Sequence, residues 1–158
     1  VDVVGFSAGG VTARLFTADG GAPVVRRVVT LGSPHHGTRV AGLAAALAPG
    51  ACVEACRQLV PGSPALAELN ADDETPDGPV WVSVWTRQDE VVTPPESARL
   101  DGALEVPLQD VCPDAVVAHG ALPRDPLTIG IVLTALGLEE PVQPTAADCA
   151  TLRARGRA

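Results

Sequence analysis

Ser7 stands in Gly5-Phe6-Ser7-Ala8-Gly9, directly after the apolar run Val1-Asp2-Val3-Val4 and before the helix-compatible Val11-Thr12-Ala13-Arg14-Leu15-Phe16. A serine between a strand and a helix, flanked by glycines, can be held on a turn so sharp that its hydroxyl stands clear of the backbone. Gly5 and Gly9 are the positions where a side chain is expected to collide across that turn. The N–H groups that open the following helix, beginning with Ala8, then point at the place where negative charge develops as the hydroxyl attacks a carbonyl. The chemistry this permits is nucleophilic acyl transfer. A Gly-rich structural turn is the alternative, and Gly-x-Ser-x-Gly alone does not separate the two. The strand before it and the helix after it favour the nucleophile.

A serine hydroxyl is a weak nucleophile without a base to take its proton and an acid to orient that base. In an α/β-hydrolase the acid and then the histidine follow the serine along the chain. The strongest strand signal is Val80-Trp81-Val82-Ser83-Val84-Trp85-Thr86, opened by Gly78-Pro79. Asp89 lies just past its C-terminal end, where functional residues of open parallel sheets gather, and Glu90 is a close competitor for the same role. Of the three histidines, His119 follows a further short strand, Ala103-Leu104-Glu105-Val106, and has the order of a base. His35 and His36 precede the acid, after the strand Val24 to Leu31, and with Phe6 are expected to shape the floor or rim where substrate binds.

With these residues placed, the chain resembles the secreted lipases and esterases of actinobacteria, within the α/β-hydrolase superfamily. The residues that carry the likeness are Val-Asp-Val-Val-Gly-Phe-Ser-Ala-Gly-Gly at 1–10, Val-Thr-Leu-Gly-Ser-Pro-His-His-Gly-Thr at 29–38, Pro-Gly-Ser-Pro-Ala-Leu-Ala-Glu-Leu-Asn at 61–70, Trp-Thr-Arg-Gln-Asp-Glu-Val-Val at 85–92 and the loop around His119. These motifs are shared by many triacylglycerol lipases and specify the superfamily better than the substrate. The resemblance implies a partial α/β-hydrolase fold of about four parallel strands with flanking helices. Within it Ser7 is the nucleophile, Asp89 the acid, His119 the base, and the Ala8 backbone N–H one oxyanion donor. It implies hydrolysis of carboxylic esters through an acyl-enzyme, with no metal and no organic cofactor. In the family, further strands and a His-Gly-type loop with the second oxyanion donor lie upstream of the serine. With nothing before Val1 and no methionine anywhere, the expectation is the C-terminal portion of a longer polypeptide, inactive when isolated.

The elements that must position these residues follow from the pattern. Residues 1–140 read as the C-terminal part of a single α/β-hydrolase domain, with 38–78 as a lid or crossover insertion and 141–158 as an irregular tail. The insertion contains a helix-like stretch from Arg39 to Leu47 and a second helix after Ser63-Pro64, where Ser63 suits the cap and Pro64 the first position. A final helix is expected from Asp125-Pro126 to Gly137, with aspartate as cap and glycine as stop.

Composition sets the outer limits. A chain of 158 residues can bury a real core in one domain, and a net charge of −8 argues against nucleic acid, whose phosphates it would repel. No apolar run approaches the length of a membrane span. The four cysteines suggest an oxidising compartment, and with the resemblance a secreted protein. Three pairings are available, and Cys52–Cys56 with Cys112–Cys149 is preferred because the second would staple the tail to the segment that leads to His119. Reduced thiols are the alternative, and a zinc site from Cys52, Cys56 and the histidine pair lacks a second Cys-x-x-Cys. The expected partner is a small-molecule or lipid ester. A thioesterase or acyltransferase could use the same residues, and a non-catalytic binding domain could keep the same fold.

Overall fold

The computed structural model describes residues 1–42 and 53–158. Four strands, β1 (Asp2–Phe6), β2 (Arg27–Leu31), β3 (Val80–Trp85) and β4 (Leu104–Pro107), form one parallel sheet in the order β1-β2-β3-β4. The described helices are α1 (Ala8–Phe16), α2 (Glu54–Gln58), α3 (Pro64–Leu69), α4 (Leu108–Val111), α5 (Pro126–Ala135) and α6 (Cys149–Arg155). Parallel strands need crossover connections; the first of them, α1, covers one face of the sheet, and α5 and α6, which follow β4, cover the other.

Side-chain alternation divides the core into two layers. Val29 and Leu31 on β2, with Val82 and Val84 on β3, point to one face and pack with Leu122, Leu127, Ile131 and Leu152. Val28 and Trp81 point to the other and pack with Ala13 of α1 and Leu100. The central strand β2 is buried along its whole length, whereas the edge strand β1 is largely exposed. Fully burying one such valine stabilises the fold by about 1.5–3 kcal/mol, so the central strands fix the register. That register aligns Gly5 with Thr30 and Thr30 with Ser83. It brings the C-terminal ends of β1, β2 and β3 to one edge of the sheet.

The caps form as the sequence suggests. Ser63 accepts a hydrogen bond from the N–H of Leu66, and Asp125 accepts one from the N–H of Thr128. Two boundaries differ. The strand expected from Val24 begins only at Arg27, because Ala22–Val24 form a short 3-10 turn around Pro23. Helix α1 starts at Ala8, immediately after the serine. The helix expected from Arg39 to Leu47 and the Cys52–Cys56 pairing both run into residues outside the described ones.

The irregular tail needs correction. Thr145 and Asp148 form a capping box, the side chain of each bonded to the other's backbone N–H, and α6 follows at once. Leu152 is buried against the core, and a Cβ on Gly130 of α5 would overlap the carbonyl of Leu152, so the two helices touch backbone to backbone. Cys112 and Cys149 are joined by a disulfide, and Arg153 meets Asp114 through a two-pronged ion pair beside it. The prolines at 141 and 144 suggested an extended tail, but they end before the box begins.

The described part of the 38–78 stretch is tied to α1. The buried Arg14 donates to the carbonyls of Leu69 and Glu74 and to Oδ1 of Asn70, and Asn70 donates in turn to the carbonyl of His35. Burial pulls the guanidinium of Arg14 down to about 10.

Candidate active site

Ser7 has φ 54° and ψ −127°, and is the one non-glycine residue with positive φ among those described. Such a backbone persists only where its surroundings enforce it. Its N–H donates to the carbonyl of Leu31, which extends the β1–β2 ladder one step past the strand, and Gly10 donates back to its carbonyl. A Cβ on Gly5 would lie 2.6 Å from Cα of Gly10, and one on Gly10 would overlap the side chain of Ser33. Gly9 meets nothing within 4 Å. The tight turn therefore needs glycine at 5 and 10, and the expectation for Gly9 was misplaced by one residue. Helix α1 packs its first turn against the C-terminal end of β2, and Gly10 is the residue at that contact.

The side chains of Ser7, His119 and Asp89 are hydrogen-bonded in series. Nε2 of His119 lies 3.0 Å from Oγ of Ser7, and its Nδ1 lies 2.8 Å from Oδ2 of Asp89. A carboxylate only accepts, so Nδ1 carries the proton of the neutral ring and Nε2 is left to accept from the serine hydroxyl. Oδ1 of Asp89 is held by the N–H groups of Val91 and Val92 at 2.9 and 2.7 Å. Both carboxylate oxygens are thus occupied, and the pair is almost fully buried. Asp89 and Glu90, equivalent contenders in the sequence, are separated by the fold: Oε2 of Glu90 accepts from the backbone N–H of His119.

Ala8 is the first residue of α1, so its N–H has no acceptor within the helix, and the residue is exposed. Phe6 stacks at a tilt against His119, ring centroids 4.9 Å apart, and is 37% exposed. His35 and His36 are not brought to this group. His35 is fully buried, bonded through Nε2 to Oγ1 of Thr30, and burial with the nearby Arg14 holds its pKa well below the usual value. It is a neutral packing residue behind the site, not a wall of it. His36 is exposed and pairs with Glu74 at 2.7 Å, beside Asp101 and Glu105. Neither histidine bonds to Ser7, Asp89 or His119 among the described residues. His35 and His36, expected at the floor or rim, lie four and five residues past the end of β2 and are held by Thr30 and Glu74 instead.

Gly32 was not singled out from the sequence. It follows β2 with φ 52°, and a Cβ there would lie 2.6 Å from Cδ1 of Leu122, 3.1 Å from Oδ2 of Asp89 and 3.4 Å from Nδ1 of His119. Its visible signal was a glycine straight after a buried strand, in Leu31-Gly32-Ser33-Pro34. Cys112, Asp114 and Cys149 cluster closely enough to ligate a metal, but both sulfurs are consumed by the disulfide.

Two clefts border α1. One of about 730 Å³ lies on its outer flank, lined by Leu15, Phe16, Glu68 and Asp73, and does not touch Ser7. A smaller apolar groove of about 80 Å³ opens at Ala8 and runs past Val11, Leu59 and Leu66. No described helix is long and apolar enough to cross a membrane.

No model of a known protein family matches the chain, and no curated protein is detectably similar to it in sequence. Solved structures are similar in fold. Lipase B of Aspergillus fumigatus superposes with a TM-score of 0.77 at 20% identity, over 96% of this chain and 40% of that one. The lipase BlEst2 of Bacillus licheniformis, in mature form, superposes with a TM-score of 0.54 at 20% identity, over 66% and 55%. The chain thus spans about half the length of these lipases or less, and its parallel sheet with flanking helices is part of a lipase-like α/β-hydrolase fold.

Proposed function

We propose that the chain carries the catalytic triad of a serine hydrolase acting on carboxylic esters, with Ser7 as nucleophile, His119 as base and Asp89 as the orienting acid. The observation that carries this reading is the unbroken bond series from Oγ of Ser7 through the imidazole to Asp89, at 3.0 and 2.8 Å, with the serine in a strained backbone. As the hydroxyl attacks the ester carbonyl, Nε2 takes its proton and Asp89 stabilises the imidazolium that forms. The same proton then goes to the leaving alcohol. The Ala8 N–H at the mouth of α1 is one donor to the tetrahedral oxyanion. Water, deprotonated by His119, releases the acyl group from Ser7.

The apolar groove that opens at Ala8 supports an apolar acyl group, and Phe6 beside His119 gives the same site a second apolar wall. The lipases that share the fold point to the same ester class. The Cys112–Cys149 disulfide supports an extracellular setting. Residues 1–140 would belong to one hydrolase domain, with 38–78 as its lid or crossover insertion.

The test is hydrolysis of p-nitrophenyl esters by the intact protein and its Ser7→Ala variant. The parent should release acid and alcohol in equal amounts, and the variant should fall by several orders of magnitude. Acyl transfer to an added alcohol or thiol in place of hydrolysis would move the assignment to a transferase. Equal rates in parent and variant would refute it.

A further inference from the structure

The segment that delivers His119 lies in no strand and no helix from Ala115 to Ala118. It is nevertheless fixed, and the bonds that fix it come from side chains just past β3 and from Gln109 of α4. Oε1 of Gln88 accepts from the N–H of Val117 at 3.0 Å, and Oε2 of Glu90 accepts from the N–H of His119 at 3.1 Å. Oγ1 of Thr86 donates to the carbonyl of Val117, and Nε2 of Gln109 donates both to Thr86 and to the carbonyl of Ala115. Alternate residues of one loop thus grip alternate residues of the other, as a strand would, with side chains in place of a backbone ladder. Asp89 sits between Gln88 and Glu90 and faces the ring instead.

The N–H of His119 opens the 3-10 turn His119–Arg124, where no internal acceptor exists for it. A carboxylate is the strongest side-chain acceptor available for such a group. We infer that Glu90 is a positioning residue: its carboxylate fixes the backbone of His119, so that one ring reaches both Ser7 and Asp89. This rests on the catalytic reading above. Glu90 touches no reacting atom, and its effect runs through the place of the imidazole.

The two carboxylates therefore have separable tasks. Asp89 needs its charge and its geometry toward Nδ1, whereas Glu90 needs an oxygen at one point. Glutamine keeps that oxygen and alanine removes it.

The experiment is steady-state hydrolysis of a p-nitrophenyl ester by the intact protein, with Glu90→Ala, Glu90→Gln and Asp89→Asn compared. Glu90→Ala should lower kcat about tenfold or more with KM within about twofold, as expected where a bond to a charged acceptor holds a catalytic group. Glu90→Gln should stay within about threefold of the parent, because the acceptor is retained. Asp89→Asn should be far more damaging than either. A kcat for Glu90→Ala within about twofold of the parent would overturn the inference, and so would a Glu90→Gln variant as impaired as the alanine. Loss of activity in Glu90→Gln with normal turnover in Asp89→Asn would make Glu90 the acid itself. Absence of Ser7-dependent hydrolysis in the parent would instead overturn the catalytic reading on which the role depends.

Discussion

A β-carbon on Gly32 would sit 3.1 Å from Oδ2 of Asp89, the oxygen that receives the His119 proton donor. Asp89 and His119 can meet beside the end of β2 because the residue that follows the strand has no side chain. Gly32→Ala should therefore act twice. The left-handed backbone costs about 1–2 kcal/mol with any other L-residue, and the added methyl presses on Asp89 and Leu122. Urea unfolding should show that loss, and ester turnover should fall by at least about tenfold, a barrier increase of about 1.4 kcal/mol. A variant with the parent's turnover would mean that Asp89 does not need its present place.

His35 gives a pH dependence whose sign follows from its burial. Its folded-state pKa lies well below the ordinary 6.5, so the unfolded chain binds a proton that the folded chain refuses. Its contribution to stability is fully present above pH 6.5 and is lost as pH falls below that value, by at most about 1.4 kcal/mol per pH unit. The lowered carboxylates Asp2, Asp114 and Asp148 act in the same direction but only around and below their ordinary 3.8. Glu105, raised above 4.5 by burial, acts in the opposite sense. Comparison with His35→Gln isolates the histidine. Urea midpoints at pH 7.5 and 5.5 should show the parent losing stability relative to the variant, and a pH-independent gap would contradict the assignment.

The disulfide closes a loop of sequence separation 37 and clamps α6 to the segment before His119. In the chain-entropy view such a closure contributes up to about 4 kcal/mol. Cys149→Ser should lower the unfolding free energy by that order. Peptide mass spectrometry without reduction should recover the Cys112 and Cys149 peptides as one species. Free thiols at both positions in protein isolated without reductant would contradict the bridge.

Much of this was legible in the residues themselves. Val80–Trp85 is β-branched and aromatic, Ser63-Pro64 and Asp125-Pro126 announce helix starts, and Ser7, Asp89 and His119 follow one another in the order that an α/β-hydrolase uses. What stayed hidden depends on where side chains land in space. Asp89 and Glu90 are adjacent carboxylates in sequence, and only the turn after β3 sends one to the ring and the other to the backbone. Gly9 and Gly10 look interchangeable until Ser33 is found against the second. His35 is a polar residue beside the site in sequence, yet it faces α1 and the buried Thr30. The tail read as irregular from its prolines, because a Thr-x-x-Asp box is a weak signal when no long apolar run follows it.

The central claim is that Ser7 is an activated nucleophile, and labelling with a fluorophosphonate probe tests it most directly. The phosphonate should be found by peptide mapping on Ser7, in the intact protein, and labelling should vanish in Ser7→Ala and slow by orders of magnitude in His119→Ala. A label on another serine, or a rate on Ser7 that His119→Ala leaves unchanged, would contradict the account.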